Sequence, residues 1–289
     1  MNVATAGRAA ATRYGKFIIR RADSLDDYRA CEALQALIWG DGDIAGIPLL
    51  DLLTAQENGG MVLGAFDTSG RLLGFVYAML GLSDSRKLKH CSVLLAVAPD
   101  CQGRGLGYEL KLAQRDAALA QDIDLITWTF DPLLSRNAHL NIAKLGAVST
   151  TYLIDVYGSG AGLNAGLETD RLFVEWHLTS PPGRREVAWA ARPKPVNTVR
   201  GDRRGLPCCA GIDLTCAEPV LAVQIPSDIV RLKRADLGLA IDWRAQTRAL
   251  FLHYFGLGYQ VCDIEYDRRA EGSLPQYILA HRTALEDRQ

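Results

Sequence analysis

Residues 90–107 read HCSVLLAVAPDCQGRGLG. Ser92 to Val97 is an apolar run rich in β-formers, and it leads straight into Pro99, Asp100 and a glycine-rich turn. A helical stripe starts at once after the turn: Leu106, Leu110, Ala113, Ala117 and Ala120 recur at helical spacing through Gln121. The predicted order is therefore strand, tight glycine loop, helix. Gly103, Gly105 and Gly107 let the backbone turn with its N–H groups facing outward, and the helix N-terminus adds its positive dipole end. Together these make an anion site suited to a phosphate or pyrophosphate.

Two common phosphate loops do not fit. A Walker loop needs Gly-x-x-x-x-Gly-Lys-Ser/Thr, and no Lys-Ser or Lys-Thr follows these glycines. The dinucleotide frame Gly-x-Gly-x-x-Gly ends on Tyr108 if begun at Gly103 and on Leu110 if begun at Gly105. What does fit is Val97-x-Pro99-Asp100-x-Gln102-Gly103-Arg104-Gly105-Leu106-Gly107. This resembles the acyl-CoA motif of the GNAT superfamily of N-acetyltransferases, Gln/Arg-x-x-Gly-x-Gly/Ala. The alternative is an ordinary strand-to-helix turn; the longer form, set between an apolar strand and a long helix, favours the acyl-CoA reading. The resemblance implies that the backbone of Leu95 and Val97 holds the pantetheine arm. It implies that Gln102, Gly103, Arg104, Gly105, Leu106 and Gly107 hold the pyrophosphate, with acetyl-CoA as co-substrate and an amine as acceptor.

At 289 residues the chain is long enough for one large or two modest domains, taking about 150 residues per domain. Apolar content of 48% and charged content of 22% are those of a soluble globular protein. A net charge of -1 argues against a chain-wide nucleic-acid footprint. No apolar stretch approaches the roughly 20 residues of a membrane span. The start, MNVATAGRAAATRYGK, lacks acids and carries Arg8 and Arg13 but has no apolar secretion segment, so it reads as a frayed cytoplasmic start. Seven cysteines are scattered without C-x-x-C spacing. Cys208, Cys209 and Cys216 have no histidine nearby and adjacent cysteines suit a tetrahedral metal poorly, so free thiols and no metal are expected.

Taken in order, Lys16 to Arg21 reads as a strand, and Ser24-Leu25-Asp26-Asp27 as a helix cap before the stripe Tyr28, Cys31, Leu34, Ile38. A short helix is expected over Leu49 to Ala55. Met61 to Phe66 and Leu72 to Leu80 are strands joined by the turn Asp67-Thr68-Ser69-Gly70. After the hub, Ile123 to Phe130 is a strand, Ser135 to Leu145 a helix capped by Gly146, and Val148 to Val156 and Arg171 to Leu178 are strands. This β-α-α-β-β-β-α-β-α-β-β order is the GNAT order over about residues 15–180. The resemblance implies a mixed, mostly antiparallel sheet flanked by helices.

SRNAHLNIAKLGA also resembles the family's second motif, Asn-x-x-Ala-x-x-x-Tyr-x-x-x-Gly-Phe. Ala138 and Gly146 match, Ser135 stands at the Asn position with Asn137 and Asn141 close by, and Ala147 at the Phe position. The resemblance places Asn137 with the cofactor. Ile142 occupies the position where much of the family has the tyrosine that protonates the leaving thiolate.

Residues 181–217 change character. Five prolines and seven basic against two acidic residues fall between 181 and 207, which reads as a solvated linker. Beyond it, Val220 to Ile225, Asp236 to Leu257, Tyr259 to Tyr266 and Tyr277 to Ala280 repeat the strand-helix-strand-strand order of residues 123–178, with Gly258 aligned to Gly146 and Tyr254 at the tyrosine position. Residues 218–289 thus resemble a partial GNAT repeat without a CoA loop of its own.

Acetyl transfer needs a polarised thioester carbonyl, a neutral amine and a proton for the thiolate. The strand before the loop offers His90, Cys91 and Ser92; His90 alone has an ordinary pKa near neutrality and is the candidate base. Asp170 and Arg171 read as an ion pair at a strand start, with a place beside the acceptor as the alternative. The function expected is acetyl-CoA-dependent N-acyl transfer to a small molecule or peptide amine in the cytoplasm, without nucleic acid or membrane, with a homodimer left open. The alternative is a non-catalytic acyl-CoA-binding or regulatory protein.

Overall fold

The computed structural model describes residues 8–12, 15–40, 46–158, 166–180, 192–266 and 274–286. The chain divides into two compact units. One comprises residues 1–128 with 177–180, the other residues 129–176 with 181–289. The segment 15–180 expected as one domain supplies most of the first unit and, to the second, a short helical stretch and two strands.

The first unit runs β1 (Arg8–Thr12), β2 (Gly15–Arg21), α1 (Leu25–Trp39), α2 (Leu49–Glu57), β3 (Met61–Asp67), β4 (Leu72–Leu82), β5 (Leu88–Val97), a 3-10 turn (Pro99–Cys101), α3 (Leu106–Leu119) and β6 (Leu125–Phe130), whose last two residues count with the second unit. From β2 onward this is the order expected from the sequence. Strands β1 to β6 lie side by side in chain order, antiparallel except for the parallel pair β5 and β6. The start of the chain departs from the frayed reading: Arg8–Thr12 pairs with β2 from Thr12↔Gly15 to Arg8↔Ile19, which satisfies an edge that β2 would otherwise leave open.

Local chemistry accounts for the boundaries. Ser24 caps α1, its hydroxyl accepting from the N–H of Asp27 at 3.1 Å. The Asp27 carboxylate in turn takes both terminal nitrogens of Arg20, at 2.6 and 2.9 Å. The β3–β4 turn is held by Asp67, which accepts from the N–H groups of Ser69 and Arg71. One sheet face packs on α1 and α2 through Tyr28, Cys31, Leu34, Leu52, Phe75 and Ala96. The other meets α3, whose buried residues are Leu106, Leu110, Lys111, Ala113, Gln114 and Ala118. That stripe is rotated from the expected one: Ala120 is exposed, and two polar side chains lie inside.

The second unit runs α4 (Ser135–Ala138) with a π-helical turn (His139–Lys144), β7 (Val148–Leu153), β8 (Arg171–His177), β9 (Lys194–Pro195), β10 (Asn197–Gly201), β11 (Pro207–Ile212), β12 (Val220–Gln224), α5 (Ile229–Ala235), α6 (Leu237–Gly256), β13 (Tyr259–Glu265), β14 (Gln276–His281) and α7 (Arg282–Glu286). Its strands lie in the order β8-β7-β13-β14-β12-β9, and β10 and β11 form a separate hairpin. The expected single helix over 135–145 opens after one turn, with the Leu145 N–H reaching back to the Leu140 carbonyl. Ile142 is core.

The stretch expected as a linker is built structure from Lys194 to Ile212. Asp202 turns the β10–β11 hairpin by accepting from the N–H groups of Arg204 and Leu206, with Gly205 at φ +75°. Residues 181–191 lie outside the described residues. Asp170 and Arg171 do not pair with each other. Asp170 is fully buried and takes Arg248 of α6 at 2.8 and 2.7 Å and the Tyr152 hydroxyl at 2.7 Å, whereas Arg171 lies 4.0 Å from Asp131.

Candidate functional site

The glycine loop leaves the end of β5 through a fixed path. The Ala98 N–H donates to Leu73, the Cys101 N–H to Ala98, and the Gln102 amide to the Val97 carbonyl at 3.1 Å. Asp100 accepts both bonds of an exposed Arg71 guanidinium at 2.9 and 3.0 Å. Gly103 and Gly105 then take φ of +72° and +88°, and a Cβ on either would meet nothing within 4 Å. The chain therefore needs glycine here for its backbone angle, and the space above both is open. Gly105 is the residue before α3, and the first helical bonds run from Tyr108 and Glu109 back to its carbonyl. The N–H groups of Gly103, Gly105, Leu106 and Gly107 meet no acceptor among the described residues. Four free donors at a helix N-terminus suit a pyrophosphate.

Behind the loop, β5 has a defect where the chemistry would lie. Tyr77 pairs with Leu94 and Ala78 with Ser92, so Val93 is an extra residue bulged out of the register. On its other side β5 pairs with β6 only at His90↔Ile126 and Cys91↔Thr127. From Ser92 onward, through Leu95 and Val97, that edge of β5 has no described strand partner. An extended acyl-pantetheine arm could meet its backbone groups there.

His90 is fully buried on the α3 side of the sheet, its Nε2 2.8 Å from the Gln121 amide oxygen and its Nδ1 without a partner. Burial pushes its pKa below the ordinary 6.5. A base must reach its substrate, and this geometry gives the expected role of His90 no support. Asn137 lies in the second unit, exposed on α4. Tyr254, which stands at the tyrosine position of the partial repeat, donates to the Asp213 carbonyl at 2.7 Å.

Two features were missed in the sequence. Lys111, 2% exposed, sends its ammonium nitrogen to Ser92 Oγ at 2.9 Å and Gln114 Oε1 at 3.0 Å, and lies 3.8 Å from the centre of the Trp128 ring. It therefore sits under the point where β5 and β6 part. Desolvation lowers its pKa from 10.5 to about 7. The signal was Lys111 and Gln114, polar residues at helical spacing within an apolar stripe. The second feature is a cavity of about 630 Å³ on the opposite face, lined by Ile47, Asp51, Thr54, Tyr77, Met79 and the bulged Val93, among others. Its size is that of a small-molecule site. No cluster of metal-binding side chains occurs among the described residues.

No family model matches the sequence, and no curated protein matches it. Solved structures matched by the fold include GNAT-family acetyltransferases. One is an acetyltransferase of the GNAT family from Streptococcus pneumoniae, 16% identical, TM-score 0.44, over 55% of this chain and 97% of that one. Another is the ribosomal-protein-S18-alanine N-acetyltransferase of Escherichia coli, 13% identical, TM-score 0.43, over 57% and 96%. A third is the NatC complex bound to Gag peptide and CoA, 13% identical, TM-score 0.44, over 56% and 98%.

Proposed function

We propose that this chain is a GNAT-type N-acetyltransferase that uses acetyl-CoA to acylate an amine by direct attack. The observation that carries the reading is the open loop Gly103–Gly107, with free N–H groups at the end of a strand whose far edge is unpaired. Residues 15–180 act as the acetyl-CoA-binding domain, 181–217 as the connection and 218–289 as a partial GNAT-like repeat. Leu95 and Val97 hold the pantetheine arm and Gln102 to Gly107 the pyrophosphate. Gln102 fixes the loop through Val97. The neutral amine attacks the thioester carbonyl carbon and forms the C–N bond. The C–S bond breaks, the amine releases a proton to solvent, and the thiolate takes one from solvent. That last step is accessible because a free thiol has a pKa of about 8.5.

On this reading the protein works in the cytoplasm on a small-molecule or peptide amine, with neither nucleic acid nor membrane, as a monomer or homodimer. No helix among the described residues is long and apolar enough to cross a membrane. Ile142 favours a second reading, a CoA-binding protein without turnover. Acetyl-CoA consumption across an amine library, with calorimetry of CoA binding alongside, tests both. Binding with turnover supports the first, binding alone the second, and no binding refutes both.

A further inference from the structure

The cavity on the α1–α2 face has an asymmetric lining. Ile47, Ala55, Met79, Leu80 and Val93 give it apolar walls. Among the described residues that line it, Asp51 is the one charged side chain, and none is a lysine or arginine. Asp51 lies in the first turn of α2, where the helix dipole favours a carboxylate, and it is exposed at the mouth. Tyr77 also lines the cavity, close enough to Asp51 to feel its charge; it is 3% exposed, its ring packed in the α1–α2 core. Its hydroxyl has no hydrogen-bond partner among the described residues. The residue lines the cavity, so its phenol is available there to a ligand group as donor or acceptor.

Burial, and then the Asp51 charge, raise the Tyr77 pKa above its ordinary 10, so the phenol keeps its proton and can both donate and accept. The cavity also has a fixed back wall. At Gly60 an added Cβ would lie 2.5 Å from the Ala78 carbonyl oxygen and 2.8 Å from that of Ala55, so only glycine lets the end of α2 sit this close to β4.

We propose that this cavity takes a primary amine with an apolar body and no carboxylate, its nitrogen held between the Tyr77 hydroxyl and the Asp51 carboxylate. The inference rests on the transferase reading and names its acceptor. Val93 belongs both to the cavity wall and to the bulge of β5, so an amine bound here is beside the strand assigned to the thioester. Asp51 attracts an ammonium and repels an acid, which excludes free amino acids. The apolar walls leave the hydroxyls of an amino sugar unpaired.

The test uses the full chain with acetyl-CoA and three acceptors: 2-phenylethylamine, phenylalanine, which adds only a carboxylate, and glucosamine. The expected kcat/KM for 2-phenylethylamine is at least about tenfold above either competitor. Asp51→Asn should raise its KM about tenfold and Tyr77→Phe at least about threefold, with CoA affinity within twofold of the parent. Calorimetry of 2-phenylethylamine with the CoA-loaded and CoA-free protein separates the two readings. Selective binding without turnover supports the acceptor class and overturns the transferase. Preference for phenylalanine or glucosamine, no binding of 2-phenylethylamine in either state, or an Asp51→Asn variant within twofold of the parent overturns the acceptor class.

Discussion

Arg244 of α6 gives both terminal nitrogens to the Asp131 carboxylate, at 2.9 and 2.6 Å, and the two residues are 2% and 5% exposed. One lies at the end of β6 and the other 113 positions later. A buried charge is tolerated only while its partner is present. Replacing Arg244 by Met alone should destabilise the protein by about 3–5 kcal/mol, whereas Asp131→Leu with Arg244→Met should recover most of that loss. Urea melts of the two variants check it. Equal losses would show that the pair matters for shape rather than for charge.

A related outcome concerns residues 1–182 expressed alone. That fragment keeps β7 but lacks β13, which pairs with it at Ser149↔Val261, and it strips Asp170 of Arg248. An open strand edge beside a buried unpaired acid should make it aggregate or melt well below the full chain. Light scattering and thermal melts decide the matter; a monomeric fragment of equal stability and full activity would refute the dependence.

Gly105→Glu places a carboxylate in the open space above the loop, at a residue with φ +88°. CoA affinity measured by calorimetry should fall at least tenfold, or ~1.4 kcal/mol. A folded variant with unchanged affinity would remove the loop from the binding site.

Lys111 gives the protein a pH dependence whose sign is fixed. Its pKa is about 7 in the fold and an ordinary 10.5 outside it. Below about 7 both states carry the proton, and the folded state bears the desolvated charge. Above it the folded state has lost the proton while the unfolded state keeps it, so the stability from this group rises with pH up to about 10.5. The slope is about 1.4 kcal/mol per pH unit. Melting temperatures of the parent should therefore climb between pH 7 and 9 relative to Lys111→Met. Parallel curves for the two proteins would show that Lys111 does not titrate in this range.

Tyr254→Phe removes a hydroxyl whose hydrogen bond goes to Asp213. We expect kcat for the best acceptor to fall less than ~3-fold, against the 10²–10⁴-fold typical of a positioned acid. A hundredfold fall with stability and CoA affinity intact would make Tyr254 the acid.

Elements with strong local signals were legible in the sequence. The strand-loop-helix hub, the Ser24 cap and the Asp67 turn each depend on residues within a few positions, and each appears where expected. What the sequence hid depends on distant partners. The hairpin 197–212 looked like a connector because its charge and prolines mask a short alternating pattern, and its position depends on Asn197 bonding Gln224. His90 read as a base because its type is right; only the packing of α3 shows that it is enclosed. Lys111 reads as a surface lysine until β5 and β6 are placed above it. Tyr77 reads as one more apolar strand residue until α2 leaves a cavity over its hydroxyl.

The single bridge between Ser149 and Val261 has a consequence for synthesis. β7 leaves the ribosome more than a hundred residues before the strand that will cover it, an interval of roughly 5 to 20 s at about 5–20 residues per second. During that time β7 keeps one edge open, Asp131 still lacks Arg244 and Asp170 still lacks Arg248. Holding factors that bind exposed strands should therefore engage this chain after β8 is made and release it once α6 and β13 have emerged.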